Sequence, residues 1–525
     1  MKKISFAFFL VLYGLFIAEA QQKIWQRQLG GSYADYLSNG IRTLDNGFIM
    51  IGGSISKDMD VPIHFKKFDA FMIKVREDGS REWKHVFGGE GNDYFRDIIE
   101  MEDGGYLVVG SSDSKKSFTK KSHSIGNQDI WLVRLNIKGD ELWQMTIGGE
   151  RDDYPVKVLK SKDGGIIIGA VSNSEKKYSH KGDSSLNVIY KKSPVFGSTD
   201  YWVMKLDKNG KLLWEKDFGG IYSEYLTDIV ELPDGSLIIG GYSNSPLSGN
   251  KGEKIIGGND WWILKLSPEG NVLWQRVIGK KYNDELLTLS ISKEGDILAG
   301  GFITLKRKGG KFDRDIYLLK LSGEGEEIWH RQINIGTNDN LTDILVEKDG
   351  SILLGGYITS LNKPHLKMSL GKGMNDFLLM KMDRNGHIKW RKWFPHSGDD
   401  EMKKIISLRD GGYVLMGTTI PFNSKKGNTD FLIMKIADKD KGLKKLLPLE
   451  AIPNPVIDYT RIVIGADYQK GYLILSDLHG HILVEKQLTG SRIIPLSLST
   501  YRPGIYIIQV MADEKVNSIK VIKQK

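Results

Sequence analysis

The stretch WKHVFGGEGNDYFRDIIEMEDGGYLVVGSS, from Trp83 to Ser112, sets four signals in order: a tryptophan strand, a glycine pair with an acidic turn, a short apolar strand, and a second apolar strand entered through Asp-Gly-Gly. The wording returns down the chain. Trp25, Trp83, Trp143, Trp214, Trp274, Trp329 and Trp390 anchor seven units spaced 55 to 71 residues apart. Their acidic turns read GGSYADY, GGEGNDY, GGERDDY and GGIYSEY, and their hairpin turns LDNGF, EDGGY, KDGGI, PDGSL and RDGGY. Asp-Gly or Asn-Gly between apolar runs predicts a hairpin, because glycine takes positive φ without steric penalty. After a loop of variable length comes a third strand, among them DAFMIKV, DIWLVRL, DYWVMKL, DWWILKL and DFLIMKI. Its alternation of large apolar and polar residues predicts a half-buried pleated strand. A last turn leads into the next tryptophan strand, so each unit is four antiparallel strands.

Four-stranded units repeated seven times predict an all-β chain folded as a seven-bladed β-propeller. A β-helix or linear solenoid fits less well, since these units are long and rich in hairpins. After DFLIMKI the chain reads ADKDKGLKKLLPLEAIP, without a tryptophan strand. The strand around Trp25 is therefore expected to complete the last blade, closing the ring and removing two exposed sheet edges. Each repeated Trp is expected to pack, fully buried, against a neighbouring sheet, with a contribution of about 2 kcal/mol.

Composition narrows the chemistry. The 525 residues are 40% hydrophobic and 26% charged, with 60 glycines against 14 prolines, as expected of a globular chain rich in tight turns. The absence of cysteine excludes disulfides, thiolate catalysis and cysteine-bound zinc. A net charge of +9 from 74 basic and 65 acidic residues is too diluted to argue for nucleic acid.

The two ends carry addresses. MKKISFAFFLVLYGLFIAEAQQ has the basic start, apolar core and small-x-small end of a secretory signal, with cleavage expected between Ala20 and Gln21. No later run approaches the length of a transmembrane helix, so no such segment is expected in the mature chain. The tail opens with AIPNPVID, continues through GYLILSDLHGHIL and LSTYRPGIYIIQV, and ends in SIKVIKQK. Apolar alternation broken by glycine predicts a small β-sandwich there. The expected domains are a signal peptide at 1–20, the propeller at 21–438, a linker at 439–452 and the sandwich at 453–525.

The unit pattern resembles the bacterial seven-bladed propeller repeats common in exported proteins of the Bacteroidota. The tail is similar to the C-terminal sorting domain of the type IX secretion system. Pro453, Asn454 and Pro455 match its PNP, Asp477 and Gly480 its D-x-x-G hairpin, and Gly504, Ile505 and Tyr506 its G-I-Y strand. That resemblance implies recognition by the type IX machinery and export to the cell surface or medium.

Connections in a blade alternate between two faces, so the acidic turns share one face with the variable loops. Two groups there are candidates for binding. Lys115, Lys116, Lys120 and Lys121 belong to a loop set that would give a basic, hydroxyl-rich rim for an anionic glycan or a protein. Asp35, Asp93, Asp153, Glu224, Asp284, Asp339 and Asp400 recur at matching positions and would ring the mouth of the channel. Converging carboxylates would suit calcium. The simpler reading has each accept hydrogen bonds from its own turn, and no cofactor or metal is then expected. G-x-S-x-G, H-E-x-x-H, P-loop and EF-hand patterns are all missing, and His479 with His481 makes too small a set for a closed metal site. The expected function is a monomeric secreted or surface-attached binding or structural module. A polysaccharide hydrolase of endoglucanase type, using a carboxylate pair, is the alternative.

Overall fold

A computed structural model of the protein describes residues 21–176, 187–336, 339–359, 375–395, 398–421, 428–438 and 448–524. The described chain is all strand and turn, with no α-helix. Seven antiparallel sheets follow one another. Sheet 1 holds Asp35–Arg42, Phe48–Ser54, Asp69–Val75 and Arg81–Phe87. Sheets 2 to 6 repeat that order from first strands Asp93–Glu100, Asp153–Lys160, Glu224–Glu231, Glu285–Ile291 and Asp339–Val346. Sheet 7 has Gly398–Ser407, Tyr413–Pro421 and Asp430–Asp438, and its fourth strand is Gln21–Leu29. Trp25 lies opposite Lys435 in that pairing, so the two ends of the repeat region share one sheet. The first strand of each sheet contacts the first strand of the next, and that of sheet 7 contacts that of sheet 1. This is a propeller-like closed succession with no free edge between its first and last sheets.

The third strands depart from the half-buried expectation. All seven residues of Asp69–Val75, Asp129–Leu135, Asp200–Leu206 and Asp260–Leu266 are buried. Both faces are covered because each sheet is packed between two neighbours. The polar member of the alternation is neutralised inside: Lys74 bonds Asp45 at 2.6 Å, Arg134 bonds Asp103 at 2.5 Å and Lys435 bonds Asp410 at 2.8 Å. Those acids belong to the Asp-Gly and Asn-Gly hairpins, so the repeated turn acid also serves the repeated strand cation.

The repeated tryptophans also differ from expectation. Trp25, Trp83 and their counterparts are half-buried on the outermost strands. Six of the seven, all but Trp390, cover a turn glycine of the next sheet: a Cβ on Gly79 would meet Trp25 at 3.0 Å, and one on Gly270 would meet Trp214 at 3.0 Å. The fully buried indoles are Trp131, Trp202, Trp261 and Trp262 on third strands.

Two loops carry unforeseen order. Val188–Tyr190 adds a fifth strand to sheet 2, parallel to its outer strand. The variable loop ITLKRKGGKFDR extends the second and third strands of sheet 5 into a hairpin paired through Lys306 and Phe312.

The tail has a three-stranded and a four-stranded sheet around one core that includes Val456, Ile462, Leu473, Leu475, Ile508 and Val521. Leu449–Ile452, placed in the linker by the sequence, is a strand of the smaller sheet, paired with Tyr459–Ile464. Residues 439–447 of that linker lie outside the described residues. Arg461 reaches the Met101 carbonyl at 3.2 Å, and Arg409 pairs with Glu450 at 3.1 Å, so the tail touches the hairpin-turn side of the sheets.

Candidate functional site

The seven repeated acids open, or lie just before or within, the first strands, and all are 0% exposed. Asp93 accepts the Gly89 N–H at 2.8 Å and the Ser114 hydroxyl at 2.7 Å. Asp35 repeats this with Gly31 at 2.7 Å and Ser56 at 3.0 Å, and Asp153 with Gly149 at 2.7 Å and Ser174 at 2.9 Å. Glu224 takes the Gly220 N–H at 2.8 Å and the Ser243 hydroxyl at 2.6 Å. Asp284 takes N–H groups from Lys280 and Thr304, and Asp339 those of Ile335 and Gly336. Asp400 is buried in sheet 7 opposite Thr419. The first six acids therefore each fasten their own turn. The main chain fastens the joints: the N–H of Asp93 donates to Phe68 O at 2.7 Å, and that of Glu224 to Thr199 O at 2.8 Å.

A second acid stands across each joint, at the head of the neighbouring third strand. A Cβ on Gly88 would lie 2.5 Å from Asp69 Oδ1 and 2.9 Å from Asp93 Oδ2, and one on Gly89 would lie 2.6 Å from Ser114 Cβ. This crowding accounts for the Gly-Gly signature, which is a matter of close approach. Burial raises both carboxyls of the pairs Asp430 with Asp35, Asp69 with Asp93, Asp129 with Asp153 and Asp260 with Asp284. Asp69 is pushed to about 7 and Asp200 to about 7 by burial first, with Asp93 and Glu224 adding to it.

The lysine group divides. Lys115, Lys116 and Lys121 are exposed, with Lys121 bonded to Glu141 at 2.7 Å. Lys120 is buried: its ammonium donates to Ser122 O, Ser122 Oγ and Thr146 Oγ1 at 2.9 to 3.0 Å and lies 5.6 Å from the Trp131 ring. Burial lowers it to about 8. Lys120 is thus the pin that holds its loop down and does not belong to the exposed rim. Lys191, paired with Asp217 at 2.5 Å, repeats the device in sheet 3.

Alternation carries the next residue of each first strand to the opposite side, into the opening that these strands enclose. Those residues are Tyr36, Tyr94, Tyr154, Tyr225, Glu285, Asn340 and Glu401. Tyr36, Tyr154 and Tyr225 are 45%, 41% and 41% exposed. Phe68 bridges Tyr36 and Tyr94, with ring centroids 5.9 and 5.1 Å apart, and Tyr225 stacks on Tyr242 at 5.2 Å. Arg96 lies 5.9 Å from the Tyr94 ring, and Arg314 covers Phe302 at 4.3 Å. Burial raises Glu285, against the pull of Arg314, and burial followed by Glu401 raises Tyr357. The mouth is therefore aromatic on sheets 1 to 4 and carries carboxylates with a guanidinium on sheets 5 to 7. The sequence carries a signal for these residues beside the recurring acid: the tyrosine shared by ADY, NDY, DDY and SEY, which a turn alone does not need.

Below the mouth a bulge shifts the register in each first strand, for example between Phe95 and Asp97. The residues brought inward close the opening with charge. Asn39 bonds Asp97 at 2.6 Å, Lys157 pairs with Asp228 at 3.2 Å, and Lys404 with Asp343 at 3.1 Å. Asp97, Asp228 and Asp343 also accept the N–H groups of Val158, Leu289 and Ile405 at 2.8 to 2.9 Å, each from the next sheet. Burial would lower Lys157, but Asp228, Asp97 and Asp343 outweigh it and hold that ammonium above its ordinary value.

In the tail, Asn454 bridges the last strand through Lys520 O at 2.8 Å and the Ile522 N–H at 3.0 Å, with Pro453 and Pro455 on either side. Asp477 and Gly480 form a hairpin turn, and Gly504, Ile505 and Tyr506 open the strand Gly504–Ala512, where the Tyr506 hydroxyl bonds Arg502 O at 2.7 Å. Residues 450–524 match the secretion system C-terminal sorting domain. The chain is exported by type IX secretion. Its destination is the cell surface or the extracellular space. The chain has more distant likenesses as well. The regulatory protein FlaEY of Caulobacter vibrioides is 23% identical over 214 residues, which are 40% of this chain and 21% of that protein. The chain thus spans about a fifth of that relative. Among solved structures, puromycin hydrolase overlaps 91% of this chain and 59% of its own, with a TM-score of 0.43 and 9% identity. The α-L-arabinanase of Penicillium chrysogenum, complexed with arabinobiose, overlaps 80% of this chain and 100% of its own, with a TM-score of 0.35 and 9% identity. At these scores the likeness fixes neither ligand nor chemistry. Among the described residues no helix is long and apolar enough to cross a membrane.

Proposed function

We propose that the chain is an exported seven-bladed propeller that binds a glycan at the mouth of its central opening, followed by a β-sandwich that serves as the sorting tail. The seven sheets are its blades. Residues 1–20 act as the signal peptide, cut between Ala20 and Gln21, and the mature protein works as a monomer. The observation that carries the reading is the set of exposed tyrosines Tyr36, Tyr154 and Tyr225 beside Glu285, Glu401 and Arg314. Tyrosine offers a flat apolar face with a polar tip, which suits the face of a sugar ring. Carboxylates and a guanidinium supply directional hydrogen bonds to hydroxyls. The exposed Lys115, Lys116 and Lys121 stand on the loops around this mouth and would favour an acidic glycan.

The test is a glycan array on the propeller protein and on a Tyr36→Ala, Tyr154→Ala, Tyr225→Ala triple variant. Binding that the triple variant loses supports the reading, and binding that it keeps overturns it. EDTA separates the calcium alternative, since a cation held by the seven acids would make binding chelator-sensitive. Release of reducing ends, abolished by Glu285→Gln, would favour the hydrolase, for which the raised carboxyl of Glu285 is the specific support.

A further inference from the structure

We infer that the tail hairpin Asp477–His481 is a surface site for a divalent transition-metal ion of the Zn2+ class, ligated by Asp477, His479 and His481. One ligand atom from each of these three side chains lies within 4.8 Å of the other two, and among the described residues this is the group of three His, Asp or Glu side chains so placed. The turn itself sets the arrangement. Asp477 Oδ1 accepts the N–H groups of His479 at 2.8 Å and His481 at 3.0 Å, and Gly480 takes φ 85° to let the chain reverse. The carboxylate is thereby fixed with Oδ2 toward the two imidazoles, 2.9 Å from His481 Nδ1 and 4.0 Å from His479 Nδ1. Both imidazoles are open to solvent, at 83% and 76% side-chain exposure, so small rotations about χ1 and χ2 meet little resistance. Tetrahedral zinc with bonds of about 2.0 Å holds its ligand atoms about 3.3 Å apart, so Asp477 and His481 open slightly while His479 swings in, and water completes the sphere. Two imidazoles with one carboxylate suit zinc and its neighbours and disfavour calcium, which prefers oxygen throughout.

The molecule contains its own control. Asp383-Arg384-Asn385-Gly386-His387 forms the same turn: Asp383 Oδ1 accepts the N–H groups of Asn385 and His387 at 2.9 Å, and His387 Nδ1 lies 3.1 Å from Asp383 Oδ2. Asn385 stands where the tail has His479, so this twin has two donors where the tail has three. The sequence reading counted two histidines and found too few; the third ligand is the aspartate of the sorting motif. The site is independent of the mouth proposed above.

Titration calorimetry of the full mature chain with ZnCl2 tests it, with Co2+ absorption as a second readout. One saturable equivalent is expected. His479→Asn, a residue that the twin turn already accommodates, should weaken it by about tenfold or more, as should Asp477→Asn. His387→Ala should leave it unchanged, and Asn385→His should add a second equivalent. No saturable binding below millimolar Zn2+, full binding by His479→Asn, or no gain from Asn385→His would each overturn the assignment.

Discussion

Sheets 1 to 4 and sheets 5 to 7 build the same joint with different parts. In the first group a glycine pair precedes the acid, and a serine beyond the second strand closes over it: Ser56, Ser114 and Ser174 each bond the acid of their own sheet. In sheet 5 the pair becomes Gly279-Lys280, the serine is gone, and Thr304 in the extended hairpin donates its N–H to Asp284 at 2.8 Å. In sheet 6 Ile335 and Gly336 do the donating, both at 2.7 Å. The acid survives in every joint, whereas the second glycine is kept only where a serine loop presses on it. The proposed binding mouth divides along the same line, since the residue after the acid is tyrosine in all four sheets of the first group and in none of the second. The constant position belongs to folding, and the variable one beside it is where the proposed selectivity would be changed without opening the joint.

Among changes that bear on the two groups, the largest effect should come from the seam between them. Asp228 of sheet 4 pairs with Lys157 of sheet 3 and accepts the Leu289 N–H of sheet 5. Asp228→Ala leaves a hemmed-in ammonium and a buried N–H without their partner, at a cost of about 3 kcal/mol in urea unfolding. A loss under about 1 kcal/mol would mean that the waist of charges is not what ties the two groups together.

The glycines give the next test. Gly89→Ala drives a methyl against Ser114 and should cost about 2 kcal/mol by overpacking. Lys280→Ala at the equivalent place in sheet 5 should change stability by less than about 0.5 kcal/mol. Equal effects would erase the proposed difference between the joints.

Closure comes third. Trp25 supplies the outermost strand of sheet 7 and covers Gly79 of sheet 1, but it is half-buried. Trp25→Ala should therefore cost about 1.5 kcal/mol, less than a fully enclosed aromatic would. Trp131→Ala, from a side chain with no exposure, should cost about 4 kcal/mol by thermal unfolding.

What the chain made legible follows from which interactions are local. The tryptophan period, the Asp-Gly hairpins and the order PNP, D-x-x-G, G-I-Y are written in contiguous residues, and each corresponds to a local strand or turn. The full burial of the third strands was hidden because Lys74 and Lys435 look like a solvent face until their hairpin acids Asp45 and Asp410 are seen beside them. Lys120 misled for the same reason, since a lysine in a Ser- and Lys-rich loop has no sequence mark of its contact with Trp131. The waist escaped notice because a bulge shifts the register by one, and Asp97, Lys157 and Asp343 come together from three separate sheets.

The smallest effect is a pH dependence carried by the acid pairs. Asp35, Asp129, Asp284 and Asp339 are pushed by burial to about 6, and Asp69 and Asp200 to about 7, from an ordinary value of 3.8. A carboxyl raised in the folded state binds more protons there than in the unfolded chain, so its contribution is fully present below about pH 4 and is lost as pH rises through its folded value. These groups should make the propeller more stable at pH 5 than at pH 8, through the six joints that hold one of these raised carboxyls and therefore in both groups of sheets. Asp200→Asn replaces a carboxyl that accepts the Phe196 N–H at 2.5 Å with an amide that still accepts it, and removes the charge facing Glu224. That variant should gain about 1 kcal/mol relative to the native chain at pH 8 and show little difference at pH 4. A gain of equal size at both pH values would trace it to packing, and a loss at pH 8 would show that Asp200 is needed there as the anion.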